Sequence, residues 1–408
     1  MARWVQLARL SRSRARSSCG QIRTITHRQD VRVTYDDQHL RVAWPDGREN
    51  QFLHLWLRDH CPSSLHPTSR QRQVDTLEIP ADTQPEQVIV RDTSLEVVWD
   101  RPVTLYSGSE VSSSTFSLSW LRERGQAMSQ QQGTDTAARP QRELWARKEG
   151  LPQVSYGDWQ TSDGLRHGLQ SLYVHGALIV RGVPPSAADT QKAVERIGHA
   201  RASFYGTFWD TAPKSEGQVN DTAYTNMELK PHNDGCYWEH RPGLQVFNCV
   251  AQSNTGGQTW LADGFAVATA LREQRPEAFD FFARTALPFY SVDPEHDVHM
   301  RAMHKVISLD EEGELTAFGL NNDDRGTIDH LPEREMAAFY RHLSALLSLS
   351  RSPEYSCFVQ LGVGDMLIVE NYRVMHGRRS FVGSRNLVGC YMDRDIYESR
   401  LRILGIIS

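Results

Sequence analysis

The sequence predicts a mainly β protein with flanking helices, divided into a small N-terminal β-rich domain and a larger domain of short apolar strands. Three observations carry this. A set of alternating apolar residues recurs at a constant offset of 55 in the first third of the chain. Later apolar runs are short, as buried strands are, and longer amphipathic segments separate them. No G-x-G-x-x-G or Walker pattern occurs, which disfavours a nucleotide-binding parallel sheet and leaves a β-sandwich or barrel. At 408 residues the chain is long enough for two domains.

In chain order, residues 1–28 come first. They hold seven arginines (Arg3, Arg9, Arg12, Arg14, Arg16, Arg23 and Arg28) and no Asp or Glu. Apolar Trp4, Val5, Leu7, Ala8 and Leu10 are interleaved with Arg3 and Arg9. This composition predicts a mitochondrial transit peptide and a location in the mitochondrial matrix; a basic tail is the other reading. Against a net charge of −5, a +7 leader leaves −12 for the body. An acidic body argues against a nucleic-acid partner. No run approaches eighteen apolar residues, so no helix is expected to span a membrane. Six cysteines without a C-x-x-C pair suit free thiols in a reducing compartment.

Residues 30–123 form the N-terminal domain. Val33, Leu40, Val42 and Trp44 recur as Val88, Leu95, Val97 and Trp99. Each set alternates around a polar turn (Asp36-Asp37, then Asp92-Thr93), which predicts a β-hairpin. A matching segment follows each one: Phe52-x-x-x-Trp56-Leu57-Arg58-Asp59, then Phe116-x-x-x-Trp120-Leu121-Arg122-Glu123. The domain is read as a duplication with a structural role, because no catalytic set converges in it. Residues 124–142, rich in Gln, Ala, Gly and Thr, are the expected linker.

The second domain spans 143–408. Strands are predicted at Ala177 to Val180, Leu244 to Val250, Cys357 to Leu361 and Met366 to Val369. The last two flank Gly362-Val363-Gly364-Asp365, which suggests a hairpin. Helices are predicted at Ala187 to Gly198 and Gly264 to Gln274, capped by Ser186 and Asp263, and at Glu333 to Leu349.

One of sixteen histidines stands in an H-x-D arrangement, His232-Asn233-Asp234. In an extended segment residues i and i+2 point the same way, so both side chains reach one metal. A third ligand must come from elsewhere in the chain, and His376, which follows a buried strand, is the candidate. Two His and one carboxylate leave three positions open on an Fe(II). H-x-D alone is more often an ordinary histidine beside an acid. Arg385, nine residues past His376 at the start of the next predicted strand, adds to the pattern, since its planar fork suits a carboxylate.

With these residues the chain resembles the Fe(II)/2-oxoglutarate oxygenases of the taurine-dioxygenase type. Within them it is similar to the trimethyllysine and γ-butyrobetaine dioxygenase family of carnitine biosynthesis. The matching text includes Phe204-Tyr205-Gly206-Thr207-Phe208-Trp209, Asp221-Thr222-Ala223-Tyr224-Thr225, Pro242-Gly243-Leu244-Gln245-Val246-Phe247 and Asn371-Tyr372-Arg373-Val374-Met375-His376-Gly377-Arg378. Leu55-Trp56-Leu57-Arg58-Asp59-His60-Cys61 extends it into the N-terminal domain.

The resemblance implies a double-stranded β-helix (jelly-roll) core. Fe(II) would be held by His232, Asp234 and His376, and 2-oxoglutarate by Arg385. Thr259 would meet the other end of the cosubstrate, although it equally fits a strand threonine. Ascorbate is the implied reductant. Tyr205, Trp209, Tyr224 and Tyr391 map onto a trimethylammonium cage. Each alone also fits core packing, but a quaternary ammonium binds best against aromatic faces.

Asp221 would pair with an α-ammonium, which trimethyllysine has and γ-butyrobetaine lacks, and Asn321, with Arg325 nearby, would meet the substrate carboxylate. The implied reaction is 3-hydroxylation of N6,N6,N6-trimethyl-L-lysine, with 2-oxoglutarate and O₂ giving succinate and CO₂. The alternatives are hydroxylation of γ-butyrobetaine or another betaine, and a metal-free jelly-roll binding protein. The butyrobetaine branch carries a structural zinc. Of its cysteine cluster only Cys61 remains here, beside His66, so no zinc is expected. The family also implies a homodimer.

Overall fold

A computed structural model describes residues 23–26, 31–127, 140–212, 222–294 and 297–407. The chain forms two compact units, Met1–Thr136 and Ala137–Ser408. Among the described residues no helix is long and apolar enough to cross a membrane.

The first unit contains β1 (Arg23–Thr26), β2 (Arg32–Tyr35), β3 (His39–Ala43), β4 (Glu49–Leu53) and α1 (His54–Asp59). It continues with β5 (Pro85–Val90), β6 (Ser94–Thr104), β7 (Glu110–Ser117), α2 (Leu118–Arg124) and β8 (Gln126–Ala127). The recurring sequence is thus a recurring β-β-β-α module, with a third strand that the alternation did not reveal. In each hairpin the repeated valines face each other, Val33 with Val42 and Val88 with Val97. Both apolar faces close on one core that also takes in Phe52, Phe116, Leu57 and Leu121. β1 pairs with β2, and β8 pairs with β4.

The two modules grip each other reciprocally. Arg58 lies 5.4 Å from the Trp99 ring, and Arg122 lies 6.0 Å from the Trp44 ring. Trp56 and Trp120 stack between them at 5.5 Å. The Cys61 thiol is buried 3.7 Å from the Ser113 carbonyl, while His66 Nδ1 accepts from the Thr68 and Ser69 amides.

The second unit runs β9 (Gln153–Ser155), α3 (Tyr156–Trp159), α4 (Ser162–His175), β10 (Ala177–Arg181), α5 (Ala187–Glu195), β11 (Trp209–Asp210), β12 (Leu229–His232) and β13 (Leu244–Ala251). Next come β14 (Thr255–Gly256), β15 (Thr259–Asp263), α6 (Gly264–Gln274), α7 (Pro276–Arg284), β16 (Ala286–Asp293), β17 (Val298–Lys305), β18 (Ile307–Leu309) and β19 (Leu315–Phe318). It ends with α8 (Glu333–Ser350), β20 (Ser356–Val359), β21 (Asp365–Glu370), β22 (Val374–Arg378), β23 (Phe381–Val382), β24 (Asn386–Met392) and α9 (Arg394–Ile403).

Two sheets dominate, one ordered β11-β24-β13-β21-β10-β9 and the other β12-β22-β15-β20. Phe247, Leu367 and Leu387 of the first pack with Leu261, Cys357 and Val374 of the second, which makes the jelly-roll core. The other face of the larger sheet buries Val246, Ile368 and Cys390 against Leu169 of α4, Val194 of α5 and Leu401 of α9. A third core joins α6, α7 and α8 through Leu271, Phe282 and Phe339. Ser186 and Asp263 cap α5 and α6 by accepting from Asp189 N and Phe265 N, as their positions predict.

One expectation is overturned. β20 and β21 do not form a hairpin. β20 pairs with β15 in the smaller sheet, and β21 lies between β10 and β13 in the larger one. The intervening turn, with Gly364 at φ 85° and Gly362 N donating to Asp365 Oδ2, carries the chain from one layer to the other. β21 is buried along its whole length, so it needs neighbours on both edges.

Candidate active site

Strand register builds the centre. β12 and β22 run antiparallel with His232 directly opposite His376, and their ring centroids are 4.6 Å apart. Asp234 follows two residues later. Asp234 Oδ1 lies 3.2 Å from His232 Nε2 and 3.6 Å from His376 Nε2. Adjacent ligands about 2.1 Å from one metal are separated by about 3 Å, so these three atoms fit a single ion. Among the described residues this is the one His/Cys/Asp/Glu group so arranged.

The neighbouring side chains orient the three ligands. His232 Nδ1 bonds the Lys230 carbonyl at 2.7 Å, which fixes that nitrogen as the donor and leaves Nε2 free to ligate. Asp234 Oδ2 accepts from the Tyr391 hydroxyl at 2.8 Å and from Gln245 Nε2, so Oδ1 is the oxygen turned to the histidines. Asn371 brackets the same residue, accepting from Asp234 N at 3.0 Å and donating to its carbonyl at 2.9 Å. Asn233 points elsewhere. It is fully buried, and its amide donates to the Asn371 and Val374 carbonyls. Gly377 separates His376 from Arg378 because β12 passes too close for a side chain: a Cβ there would lie 2.4 Å from the Leu229 carbonyl oxygen.

Burial opposes charge on all three ligands, and their mutual fields decide the outcome. Burial works against His232, but the hydrogen bond and charge of Asp234 push its pKa up to about 9. Burial wins at His376 and pushes it down to about 4. Asp234 is raised by burial, yet His376 and His232 hold it far below the usual carboxylate range. Without metal the set therefore carries one carboxylate, one neutral imidazole and one imidazolium at neutral pH, and a metal ion would displace the His232 proton to ligate.

The triad opens into a cavity of about 270 Å³ lined by Arg385, Thr259, Tyr205, Trp209, Tyr224, Asn321 and Tyr391 among others. Arg385 is 6% exposed, and burial lowers its pKa. Among the described residues no carboxylate is within ion-pairing distance of it. Gly257 makes room for its stem, since a Cβ there would sit 3.1 Å from Arg385 Cδ. The Thr259 hydroxyl is buried and has no partner among the described residues. A buried cation and an unpaired hydroxyl beside a metal triad fit a carboxylate-bearing cosubstrate.

The aromatic residues come from three segments. Trp209 packs against Gly389, where a Cβ would be 2.3 Å from the ring, and stands 5.5 Å from Tyr391. The Tyr205 and Tyr237 hydroxyls are 3.2 Å apart. Tyr224 ends a short 3₁₀ turn. Asn321 Nδ2 donates to Asp324 Oδ2 at 2.7 Å, and both Asp323 and Asp324 line the cavity. Asp221 lies outside the described residues. Arg325 is not among the residues lining the cavity; its Nε lies 3.4 Å from Asn322 Oδ1 and its guanidinium 5.4 Å from the Phe339 ring.

Sequence reasoning missed Gln245, Tyr237, Arg378 and Asp324, which also line the cavity. Two left a signal. Gln245 interrupts the apolar run of β13, and Arg378 closes β22, every residue of which is buried.

Comparison with known proteins accords with this geometry. Residues 137–391 match the model of the family described as Taurine catabolism dioxygenase TauD, TfdA family. Residues 31–122 match Gamma-butyrobetaine hydroxylase-like, N-terminal. Trimethyllysine dioxygenase of Meyerozyma guilliermondii is 32% identical over 392 residues, 92% of this chain and 96% of that protein. The protein named Trimethyllysine dioxygenase, mitochondrial, of Bos taurus is 32% identical over 364 residues, 87% of this chain and 83% of that one. Gamma-butyrobetaine dioxygenase of Homo sapiens is 30% identical over 387 residues, 90% of this chain and 95% of that one.

Proposed function

Because the chain belongs to the Taurine catabolism dioxygenase TauD, TfdA family, we propose that its cavity is the active site of an Fe(II)- and 2-oxoglutarate-dependent hydroxylase acting on C3 of N6,N6,N6-trimethyl-L-lysine. The observation that carries the reading is the convergence of His232, Asp234 and His376 with a buried Arg385 and four aromatic side chains on one cavity.

An iron(II) ion held by the three ligands would supply the chemistry that couples decarboxylation of 2-oxoglutarate, giving succinate and CO₂, to hydroxylation of a C–H bond. The protein's own task is placement. Arg385 pairs with a cosubstrate carboxylate through its planar fork, and the Thr259 hydroxyl donates to the same molecule. Tyr205, Trp209, Tyr224 and Tyr391 enclose the trimethylammonium, which no hydrogen-bond acceptor can hold. Asp221 and Asn321 take the amino-acid end. Fixing both ends of a flexible chain presents one methylene to the metal.

Asp323 and Asp324 in the cavity wall favour a substrate with a free ammonium over γ-butyrobetaine, which has only a carboxylate at that end. Relatives named mitochondrial support a mitochondrial location, and the basic, acid-free composition of residues 1–28 supports the matrix. L-ascorbate would keep the iron ferrous. A homodimer without nucleic-acid or membrane partners completes the reading.

The test is purified protein with Fe(II), ascorbate and 2-oxoglutarate, offered trimethyllysine or γ-butyrobetaine, with succinate and hydroxylated product followed by mass spectrometry. Turnover of trimethyllysine that disappears in His376→Ala is expected. Turnover of butyrobetaine alone would sink the proposal.

A further inference from the structure

We propose that Arg378 is a positioning residue for the substrate: it anchors the cavity segment that carries Tyr224 to the strand that carries His376. The inference rests on the reading of this cavity as the substrate site.

Arg378 ends β22 two residues after His376, and it is 5% exposed. Its guanidinium donates to three main-chain carbonyls of one segment. Nη1 reaches Ala223 O at 2.7 Å, Nη2 reaches Thr225 O, and Nε and Nη2 both reach Met227 O at 3.3 Å. The Phe381 ring backs the guanidinium at 5.2 Å.

The spacing matters. The three acceptors are alternate residues, and a planar fork can meet all of them where an ammonium on a flexible stem cannot. Residues 225–227 belong to no strand or helix, so no sheet ladder fixes them. Tyr224 stands between two of the tethered residues, which makes its ring position depend on Arg378. The same fork leaves β22, so it ties the aromatic wall to the strand of a metal ligand, beside the Phe381 amide that donates to the Asn226 carbonyl at 3.2 Å.

The predicted consequence is a split between substrate binding and everything else at the site. In Arg378→Lys, hydrogen exchange of the amides in 223–227 should accelerate. Affinity for trimethyllysine, measured on protein loaded with Mn(II) and an inert 2-oxoglutarate analogue, should fall by about 2- to 30-fold, the range for one aromatic wall. Metal affinity should stay within about twofold, because Asp234 and His232 are oriented by Tyr391, Gln245 and Lys230 rather than by Arg378, and 2-oxoglutarate affinity should fall less than trimethyllysine affinity, because Arg378 neighbours Thr259 across the β22–β15 pair without holding it. Arg378→Lys added to Tyr224→Ala should cost nothing more. Arg378→Gln serves as the second variant, with the same expected outcome, if the lysine protein does not fold.

Unchanged exchange in 223–227, a loss of metal affinity as large as the loss of substrate affinity, or full additivity with Tyr224→Ala would each overturn the proposal. If wild-type protein did not bind trimethyllysine while Arg378→Lys still loosened 223–227, the substrate reading would fall and the anchor would stand.

Discussion

Tyr391 has two surfaces in this site, and they can be separated. Its ring faces Trp209, while its hydroxyl donates to Asp234 Oδ2 at 2.8 Å. Tyr391→Phe removes the second and keeps the first. A hydrogen bond to a charged group contributes about 1.5–3 kcal/mol, which sets an upper range of roughly 10- to 150-fold on metal affinity. The true figure should lie near the lower end. Asp234 is a carboxylate with or without metal, so part of the bond's strength is common to both states and cancels. What does not cancel is orientation. With Tyr391 gone, only Gln245 turns Oδ2 away from the histidines. A loss of about tenfold in metal affinity is therefore expected, in line with removing one outer partner of a ligand.

Substrate affinity at saturating metal should change by less than about threefold, because the aromatic face survives. Mn(II) titration followed by electron paramagnetic resonance gives the first number, and calorimetry with trimethyllysine on metal-loaded protein gives the second. Wild-type metal affinity in Tyr391→Phe would refute the reasoning, as would an equal loss of both affinities.

Four further outcomes follow from the structure. Arg385→Gln should raise KM for 2-oxoglutarate by roughly 30-fold or more, since removing one partner of a buried charge pair costs about 2–5 kcal/mol, while substrate affinity holds; steady-state kinetics decides. Metal affinity should rise about tenfold per pH unit between pH 6 and 8 and level off above about 9, because the metal displaces one proton from His232 and none from His376; a flat profile would contradict this. The sign for stability is opposite, because His232 is raised on folding: its contribution to the metal-free protein is full below about 6.5 and lost as pH rises through about 9, which melting curves can follow. Asp263→Asn breaks a fully buried ion pair with Arg373 (2.9 Å) and should cost about 3–5 kcal/mol, lowering the melting temperature by about 10 °C.

Much of this was legible because the informative features were local in sequence. H-x-D spacing places two ligands, and alternation at an offset of 55 exposes the duplicated modules. What stayed hidden depends on strand partners far along the chain. Nothing near Gln245 says that its amide will meet Asp234, because that contact requires β13 to lie in the opposite sheet from β12. The wrong hairpin at Gly362–Asp365 has the same cause: a glycine turn is equally suited to reversing a chain within one sheet and to passing it between two. Arg325 bonds Asn322 but turns its guanidinium to the Phe339 ring, a preference that composition does not reveal.

The reciprocal grip in the first unit has a consequence for where that unit came from. Arg58 of one module lies over Trp99 of the other, and Arg122 returns the contact to Trp44. Contacts in which i meets j′ and i′ meets j define an isologous interface, the kind a two-fold homodimer makes. The unit is built as two subunits joined into one chain would be. A single module, expressed alone, has only another copy of itself to cover its tryptophan, so it should be found as a dimer or not folded at all.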